Sequence, residues 1–599
     1  MPALLPPLRN VRGSLLALGL AGALAIPLCA PASATGPGGP PGGPPGGPPG
    51  GSHGGPPAGG PAAPRPSTAT GENVANPLLT GPIANTSPVG SPKHGYPFLA
   101  TDVDLRSAGY VEQEFFVSGT ATSYATRGTD TATVVSTGNP YRTRLVVRRP
   151  ADARAFNGVV IAEWYNVSNQ WDQEVDWFQS HEHLIREGYA WVGVSAQRAG
   201  VHSATGLKAW SPARYGTLDV TAGGTVDDDS LSYDIFSQAV KAVRGSTGKT
   251  GPLGGLPRPR YVIATGHSQS AGRLANYYNA VQPLANVLDA VVLHGGGGVL
   301  RTDLPTPVFR VNSEGDVSGG ILPAAARAQA DSAILRSWEV AGASHGDWKL
   351  IRDYGPLRKR DVGSYPGGYP GEPQTCALPS LSRIPQHMVQ NAAYDHTLAW
   401  IAHGVLPPAA PKIQMTDAAP PAIARDSLGL ALGGIRLAQQ EAPLRINTGT
   451  NTGPGFCFLD GSSLPLTGAQ LAQLYPATRS YADKVVATTL ADVGAGYISR
   501  SFTRDPAWYS DIRDLIGEYV ASGAVTEAVG ATLQDRLRHA ERAGLAGDEP
   551  PAIAHLRQLA ERAGKQIKDA TARDGVLRVT QALADLLTEA RKLDQHKGH

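Results

Sequence analysis

Charge is scarce in this 599-residue chain. Charged residues make up 17% of it, and the formal net charge at pH 7 is +2. Such a balance favours neither nucleic acid nor an acidic membrane surface as a partner. Basic residues interleaved with aromatic ones are missing as well, which argues against nucleic-acid binding. Because 41% of the residues are hydrophobic, the chain can still bury sizeable cores, and its length predicts two to four domains.

Long apolar runs are also missing, apart from one near the N-terminus. Arg9 and Arg12 precede the run SLLALGLAGALAIPLCA, and Pro-Ala-Ser-Ala follows it. This order predicts a secretory signal peptide over residues 1–34, cleaved after the last of them. The alternative is a membrane anchor, but the run is short and is interrupted by Pro27. We therefore expect a secreted, extracellular protein whose mature chain has no transmembrane segment.

Cysteine is rare, with three residues in the whole chain. Cys29 lies in the predicted signal peptide, so the mature protein keeps Cys376 and Cys457. An even count in an oxidising compartment predicts one disulfide between these two residues. Two separate buried thiols are the alternative, since spacing alone fixes no geometry.

Composition divides the rest of the chain into three regions. Residues 35–84 begin with a Gly-Gly-Pro-Pro repeat, which cannot bury apolar surface and predicts a disordered linker. Residues 85–504 contain apolar β-type runs that alternate with helical patterns. Residues 505–599 show helical patterns without a strand signal, beginning with an apolar face that includes Ile512 and Ile516. This last region predicts a small all-α helical bundle.

The apolar runs of the middle region predict an α/β fold. They cover residues 157–168, 189–197, 261–266, 288–295, 306–313 and 335–342. Continuous apolar strands separated by helices are typical of a mostly parallel sheet with helices on both faces. Ligands bind such sheets at the C-terminal ends of the strands, so the residues that follow these runs are the candidate site residues.

One of these runs ends in a candidate nucleophile. The segment YVIATGHSQSAGRLANYYNAV, residues 261–281, changes from a strand pattern to a helical pattern at Ser268. A serine on a sharp strand-to-helix turn, with small residues two before and two after it, is typical of a nucleophile elbow. Gly266 fits this pattern, whereas Ser270 stands where glycine is usual.

A serine nucleophile needs a base and an acid, and both follow later strands. His345 lies in the loop after the last apolar run, and Asp316 and Glu314 lie just beyond the strand before it. The order serine, acid, histidine is that of the hydrolases with this elbow. We expect Asp316 to be the acid, because Gly315 can form the turn before it, with Glu314 as the alternative.

Backbone donors are the expected stabilisers of the oxyanion. The first is the N–H of Gln269, which directly follows the candidate nucleophile. The second should come from the loop after the first predicted strand, where Tyr165 is the candidate and Trp164 the alternative. No metal site and no cofactor are predicted.

Several segments together resemble a known family. EWYNVSNQWDQEVDW, SYDIFSQA, TGHSQSAGRLANYYNAV and AGASHGDW are similar to the α/β-hydrolase domain family of secreted and bacterial proteins, over roughly residues 85–500. The resemblance implies a serine hydrolase fold that carries Ser268, His345 and an acid, but it implies no substrate. The C-terminal helices resemble the FIMAH module of secreted enzymes.

The function predicted from these features is that of a secreted serine hydrolase. A carboxylic-ester hydrolase acting on a small-molecule or polymer ester is expected, and a peptidase or acyltransferase would use the same residues. The alternative is an inert hydrolase fold that serves as a surface-binding protein. In either case, the helical module is expected to contact cell wall or polysaccharide.

Overall fold

The computed structural model describes residues 65–363 and 376–595. The predicted signal peptide, and residues 35–64 of the predicted linker, lie outside these ranges. The strands are β1 Leu78–Thr80, β2 Tyr110–Ala125, β3 Thr133–Pro150, β4 Val159–Trp164, β5 Ala190–Val194, β6 Tyr261–His267, β7 Ala290–His294, β8 Val308–Ser313, β9 Leu335–Val340, β10 Arg445–Thr448 and β11 Ser462–Pro465.

Helices connect these strands and form the C-terminal region. They are α1 Val175–Arg186, α2 Arg198–His202, α3 Leu207–Trp210, α4 Pro212–Tyr215, α5 Ser232–Arg244, α6 Gln269–Ala280, α7 Gln282–Ala285, α8 Glu314–Ser318, α9 Ala324–Arg327, α10 Trp348–Asp361, α11 Gln386–His403, α12 Ala438–Glu441, α13 Cys457–Asp460, α14 Gly468–Leu474, α15 Thr478–Ala495, α16 Ala507–Ala521, α17 Glu527–Leu545, α18 Glu549–Gln566 and α19 Ala570–Gln595. In the described ranges, none of them is long and apolar enough to cross a bilayer.

The first nine strands form one mixed sheet in the order β1-β2-β3-β5-β4-β6-β7-β8-β9. The six strands from β4 to β9 are parallel, and they are the six apolar runs that the sequence predicts. All their residues are buried, because helices cover both faces of a parallel sheet. The predicted α/β fold is therefore confirmed.

The other three strands form an antiparallel extension that the sequence did not reveal. Strands β2 and β3 make a long hairpin, and β3 then pairs antiparallel with β5. The turn end of this hairpin is largely exposed, and Thr133, Val134 and Val135 are open to solvent. Without a continuous apolar run, these strands lack the signal that marks a buried strand.

The connections between strands place helices on opposite faces of the sheet. The chain leaves β4 through α1 to reach β5 on one side, and leaves β6 through α6 to reach β7 on the other. Since such crossovers are almost always right-handed, this change of direction puts α1 and α6 on opposite faces. It also opens a crevice at the C-terminal ends of β4 and β6, where ligands bind in folds of this kind.

The segment before the sheet departs from the predicted boundary. Residues 65–84, the end of the predicted linker 35–84, are folded against the sheet. Strand β1 pairs antiparallel with β2, and the Arg244 guanidinium donates to the Ser67 hydroxyl at 2.6 Å and to the Ala69 carbonyl at 2.7 Å. These residues lie beyond the Gly-Pro repeat, so their backbone groups can form hydrogen bonds at the edge of the sheet.

The C-terminal region is a helical bundle, as the sequence predicts. Helices α16 to α19 pack on one another, and α15 joins them through α19. Ile512 and Ile516 of the predicted apolar face of α16 are buried. The bundle is also attached to the sheet region by polar contacts, among them Arg352 to Ser510 at 2.9 Å and Arg445 to Glu518 at 2.9 Å.

Candidate active site

Ser268 lies on the turn between β6 and α6. Strand β6 ends at His267 and α6 begins at Gln269, which leaves a single residue for the change of direction. Ser268 makes the turn with φ 58° and ψ −117°, a strained backbone conformation for a residue with a side chain. Its N–H donates to the His294 carbonyl of β7 at 2.9 Å. Because the side chain remains partly exposed, the turn presents the hydroxyl at the end of the sheet.

The neighbours of Ser268 explain the unusual motif. A Cβ atom on Gly266 would lie 3.0 Å from the Ser270 carbonyl oxygen, so the close passage of strand and helix needs glycine there. The Ser270 hydroxyl accepts the His267 N–H at 3.0 Å and donates to the His267 carbonyl at 2.9 Å. Serine therefore fits at the position where glycine is usual, since its polar atom is satisfied within the turn itself.

His345 lies beyond the end of β9, and its ring is bound to Asp316. The distance from His345 Nδ1 to Asp316 Oδ1 is 2.5 Å. Asp316 is fixed by a capping box at the start of α8: its N–H donates to the Ser313 hydroxyl, and its other carboxylate oxygen accepts the Ser313 N–H at 2.6 Å. Burial alone would raise the pKa of Asp316, but His345 and the hydrogen bonds hold that pKa below its usual value.

Glu314, the alternative acid, has other partners. Its carboxylate accepts the N–H groups of Gly342 at 2.8 Å and Gly449 at 3.1 Å. It also accepts a hydrogen bond from the Arg425 guanidinium at 2.6 Å. Glu314 thus connects the loop after β9 to a later segment of the chain, and the carboxylate that contacts His345 is that of Asp316.

His267 holds the backbone of His345. Its Nε2 donates to the His345 carbonyl at 3.2 Å, and the two ring centroids are 4.4 Å apart. Burial, together with the neighbouring rings of His345 and His294, lowers the pKa of His267 well below its usual value. A Cβ atom on Gly295 would lie 2.9 Å from His267 Nε2, and Gly295 itself has φ +62°. The space that the neutral His267 ring occupies is therefore available only because residue 295 is glycine.

A second histidine, His387 near the start of α11, anchors the loop of His345. Asp347 caps α10 by accepting the Lys349 N–H at 2.6 Å, and its other oxygen accepts from the backbone N–H of His387 at 3.2 Å. His387 Nδ1 lies 3.4 Å from the same oxygen, while its Nε2 lies 3.0 Å from Asp505, just before α16. Burial would lower the pKa of His387, but Asp505 and Asp347 raise it to about 10.

A small cavity of about 80 Å³ opens at Ser268 and His345. The loop between β4 and α1 supplies its polar side, and helices α1 and α10 supply much of its apolar side. Its lining residues are Asn166, Ser168, Asn169, Gln173, Val175, Phe178, His267, Ser268, His345, Gly346, Leu350, Tyr354, Phe456 and Leu459. Of these, the sequence predicted only Ser268 and His345 as site residues.

The loop after β4 is fixed to the elbow. The Asn166 side chain donates to the His267 carbonyl at 2.9 Å, and the Val167 N–H donates to the Gln269 side chain at 3.3 Å. The backbone N–H groups of Asn166 and Ser168 also donate to acceptors within the loop. Tyr165 does not line the cavity, because its ring is buried beside Arg144, whose guanidinium carbon lies 5.6 Å from the ring centre.

The predicted disulfide between Cys376 and Cys457 is confirmed. It fixes α13, and residues on either side of Cys457 reach the cavity. Phe456 and Leu459 line the cavity wall, and the Leu459 carbonyl accepts the Gly346 N–H at 2.9 Å. Sequence reasoning missed these residues because they lie more than a hundred positions after His345.

One group of side chains in the described ranges has ligand atoms close enough for a metal ion: His181, Glu182 and Asp353. The Lys349 ammonium lies 2.7 Å from Glu182 and also pairs with Asp353. A cation of the chain itself thus neutralises both carboxylates. The group links α1 to α10 and does not line the cavity.

The geometry is that of an α/β-hydrolase fold, with a serine at the elbow and an acid–histidine pair on later strands. The profile of the alpha/beta hydrolase domain family matches residues 79–505, and that of the FIMAH domain matches residues 509–587. The chain therefore belongs to the alpha/beta hydrolase domain family and carries a C-terminal FIMAH domain.

Solved structures with similar folds are distant. A serine hydrolase without a lid from Xanthomonas campestris is 14% identical with a TM-score of 0.23, over 42% of this chain and 97% of that chain. An uncharacterised protein from Capnocytophaga ochracea is 11% identical with a TM-score of 0.23, over 74% and 94%. A glucuronoyl esterase from Teredinibacter turnerae is 10% identical with a TM-score of 0.21, over 39% and 48%. No curated protein matches the chain. The family assignment rests on the profile matches alone.

Proposed function

We propose that this protein is a serine hydrolase that cleaves carboxylic esters through Ser268, His345 and Asp316. The observation that carries the proposal is the 2.5 Å contact between Asp316 and His345 at the cavity that Ser268 also lines. A carboxylate bound to Nδ1 leaves Nε2 of the same ring to act as the base toward the serine hydroxyl. The strained turn at Ser268 supports the assignment, because such strain is concentrated at functional sites.

The reaction would proceed in two steps. Ser268 Oγ attacks the ester carbonyl carbon while His345 Nε2 takes the hydroxyl proton, and Asp316 stabilises the imidazolium that forms. The C–O bond to the alcohol then breaks, and the alcohol leaves with that proton. In the second step His345 takes a proton from water, and the resulting hydroxide attacks the carbonyl carbon of the acyl-enzyme. The bond to Ser268 Oγ then breaks, the acid is released, and His345 returns the proton to Ser268.

Two backbone N–H groups are the proposed oxyanion donors. That of Gln269 belongs to the first residue of α6, so it has no partner within the helix. The second is proposed to be that of Tyr165. The N–H groups of the three residues after it, 166–168, already donate to protein acceptors, which supports the choice.

Labelling with a fluorophosphonate tests the nucleophile. The full chain should be labelled at Ser268 and should turn over simple esters, whereas Ser268→Ala should lose both properties. The loss in kcat is expected to be about 10⁶-fold. The matched control is Ser270→Ala, which removes the neighbouring hydroxyl and should keep the labelling. An unlabelled wild-type chain that turns over no ester would instead support an inert, surface-binding role, while turnover of amides or acyl transfer would change the reaction type but not the residues.

The location and the role of the helical module belong to the same proposal. A disulfide is typical of proteins outside the cytosol, which supports an extracellular location together with the predicted signal peptide. The FIMAH domain is proposed to contact cell wall or polysaccharide. Binding of the full chain and of its Ser268→Ala variant to insoluble cell-wall material would test this, because binding through the module should not depend on the nucleophile.

A further inference from the structure

The cavity at Ser268 is small and partly open to solvent. Its volume is about 80 Å³, whereas a protein cavity of about 150 Å³ accommodates benzene, or about 25 Å³ for each carbon atom. On this scale the cavity holds about three carbon atoms, which is the chain of a butyryl group beyond the carbonyl carbon bonded to Ser268. The acyl group stays bonded to Ser268 through both steps of the proposed reaction, while the alcohol departs after the first. A cavity beside Ser268 is therefore in a position to receive the acyl group, and a longer chain would have to pass its apolar wall to reach solvent.

The apolar wall is held in place by the packing of α1 against α10. The ring centroids of Phe178 and Tyr354 are 5.2 Å apart, and the Tyr354 hydroxyl accepts the Trp171 indole N–H at 2.7 Å. The Lys349 ammonium binds the Phe178 carbonyl at 3.3 Å as well as the Glu182 carboxylate at 2.7 Å. A wall fastened by these contacts cannot move aside easily for a longer chain.

The described residues that line the cavity include no Lys or Arg for a charged acyl group. In the described part of the chain, the titratable residues that line the cavity are His267, His345 and Tyr354. The loop between β4 and α1 contributes the uncharged polar residues Asn166, Ser168 and Gln173 to the lining. A carboxylate placed here would lose part of its hydration without gaining a cation, which is unfavourable.

We propose that the site takes esters of short, uncharged acyl groups, from acetyl to butyryl, and that Phe178 and Leu350 set the upper limit. This inference rests on the function proposed above. It assigns the apolar residues of α1 and α10 to substrate selection, which nothing in the motifs of the sequence indicates.

Acyl chain length tests the inference directly. p-Nitrophenyl esters with acyl groups of two, four, six and eight carbon atoms keep the alcohol constant. We expect kcat/KM to fall at least about 10-fold from four to eight carbon atoms, since even one methylene in a pocket changes it by about 10-fold or more. p-Nitrophenyl hemisuccinate, whose acyl group carries a carboxylate, should be turned over at least about 10-fold more slowly than p-nitrophenyl butyrate. Equal turnover of the octanoate, or a preference for the hemisuccinate, would overturn the inference.

A pair of variants on α10 locates the limit. Leu350→Ala enlarges the cavity and should raise the ratio of octanoate to butyrate turnover at least about 10-fold. The control is Leu357→Ala on the same helix, which is buried but does not line the cavity and should leave the ratio unchanged. Because a ratio does not depend on the fraction of folded protein, a loss of stability in either variant does not affect the comparison. An unchanged ratio in Leu350→Ala would contradict the assignment.

Failure of this inference is distinguishable from failure of the proposed function. Fluorophosphonate labelling with a preference for long acyl chains, or with a length limit on the alcohol at constant acetyl group, would keep the nucleophile but reject the acyl cavity. Labelling of Ser268 without turnover of any ester in the series would keep the reactive serine but reject both ester cleavage and the short-acyl inference. A chain that is neither labelled nor active would reject the proposed function itself.

Discussion

Two histidines near the end of β9 are bound to carboxylates, but their surroundings differ. His345 contacts one carboxylate, that of Asp316, and lines a cavity. His387 is completely buried between Asp347 and Asp505. Two carboxylates raise the pKa of His387 to about 10 in spite of its burial, so it stays charged at neutral pH. The comparison teaches that two carboxylates and complete burial make His387 a structural cation, whereas His345, the proposed base, has one carboxylate and faces a cavity.

Exchange of each histidine for glutamine should give the largest effects, and they should be opposite in kind. His345→Gln is expected to lower kcat by about 10⁶-fold and to lower the free energy of unfolding less than His387→Gln does, because it leaves one buried carboxylate without its histidine instead of two. His387→Gln should instead lower the free energy of unfolding by about 3–5 kcal/mol, because it leaves two buried carboxylates without their cation. Ester kinetics and chemical denaturation measure the two effects. Similar losses of kcat in both folded variants would contradict the distinction.

The acid of the pair should come next in magnitude. Asp316→Asn is expected to lower kcat by about 10⁴-fold, since an asparagine favours the wrong imidazole tautomer. Glu314→Gln is the matched control, because that side chain lies two residues away and contacts backbone N–H groups and Arg425 instead. It should cost stability and much less of kcat. If Glu314→Gln lost more kcat than Asp316→Asn, the proposed role would pass to Glu314.

The contact between His387 and Asp505, just before α16, should have a smaller, purely structural effect. Asp505→Asn is expected to lower the free energy of unfolding by about 3 kcal/mol, because His387 is then left buried with one carboxylate. Asp514→Asn is the control: this exposed residue also connects the bundle to the sheet region, through Arg383. A surface ion pair contributes at most about 1 kcal/mol. Equal losses in denaturant unfolding would show that His387 does not need its second carboxylate.

The pH dependence of stability should show the smallest effect. The folded pKa of His387, about 10, lies above its unfolded value of about 6.5. Its contribution is therefore fully present below about pH 6.5 and is lost as the pH rises through the folded value. Between pH 7 and 9 the free energy of unfolding should fall by about 1 kcal/mol for each pH unit. The slope should vanish in His387→Gln, and its persistence there would assign it to another group.

Much of the fold and part of the site could be predicted from the sequence. The six apolar runs identified β4 to β9. The residues after three of them are the proposed triad of Ser268, Asp316 and His345, and two of these, Ser268 and His345, line one cavity because parallel strands end at one edge of the sheet. The contacts that depend on distant segments were not predictable. The disulfide brings Phe456 to the cavity, and Asp505 reaches His387 across more than a hundred residues. Neither contact has a local pattern, since each is created by the packing of complete elements.

The hydroxyl of Ser270 has a consequence for how relatives of this protein can be found. A search pattern that demands glycine two positions after the proposed nucleophile would pass over this chain. The turn requires only a small side chain there whose polar atom, if it has one, bonds back to the strand, as Ser270 does to both backbone groups of His267. A pattern that accepts serine at that position, and keeps glycine two positions before the nucleophile, follows the physical requirement instead of the commonest letter.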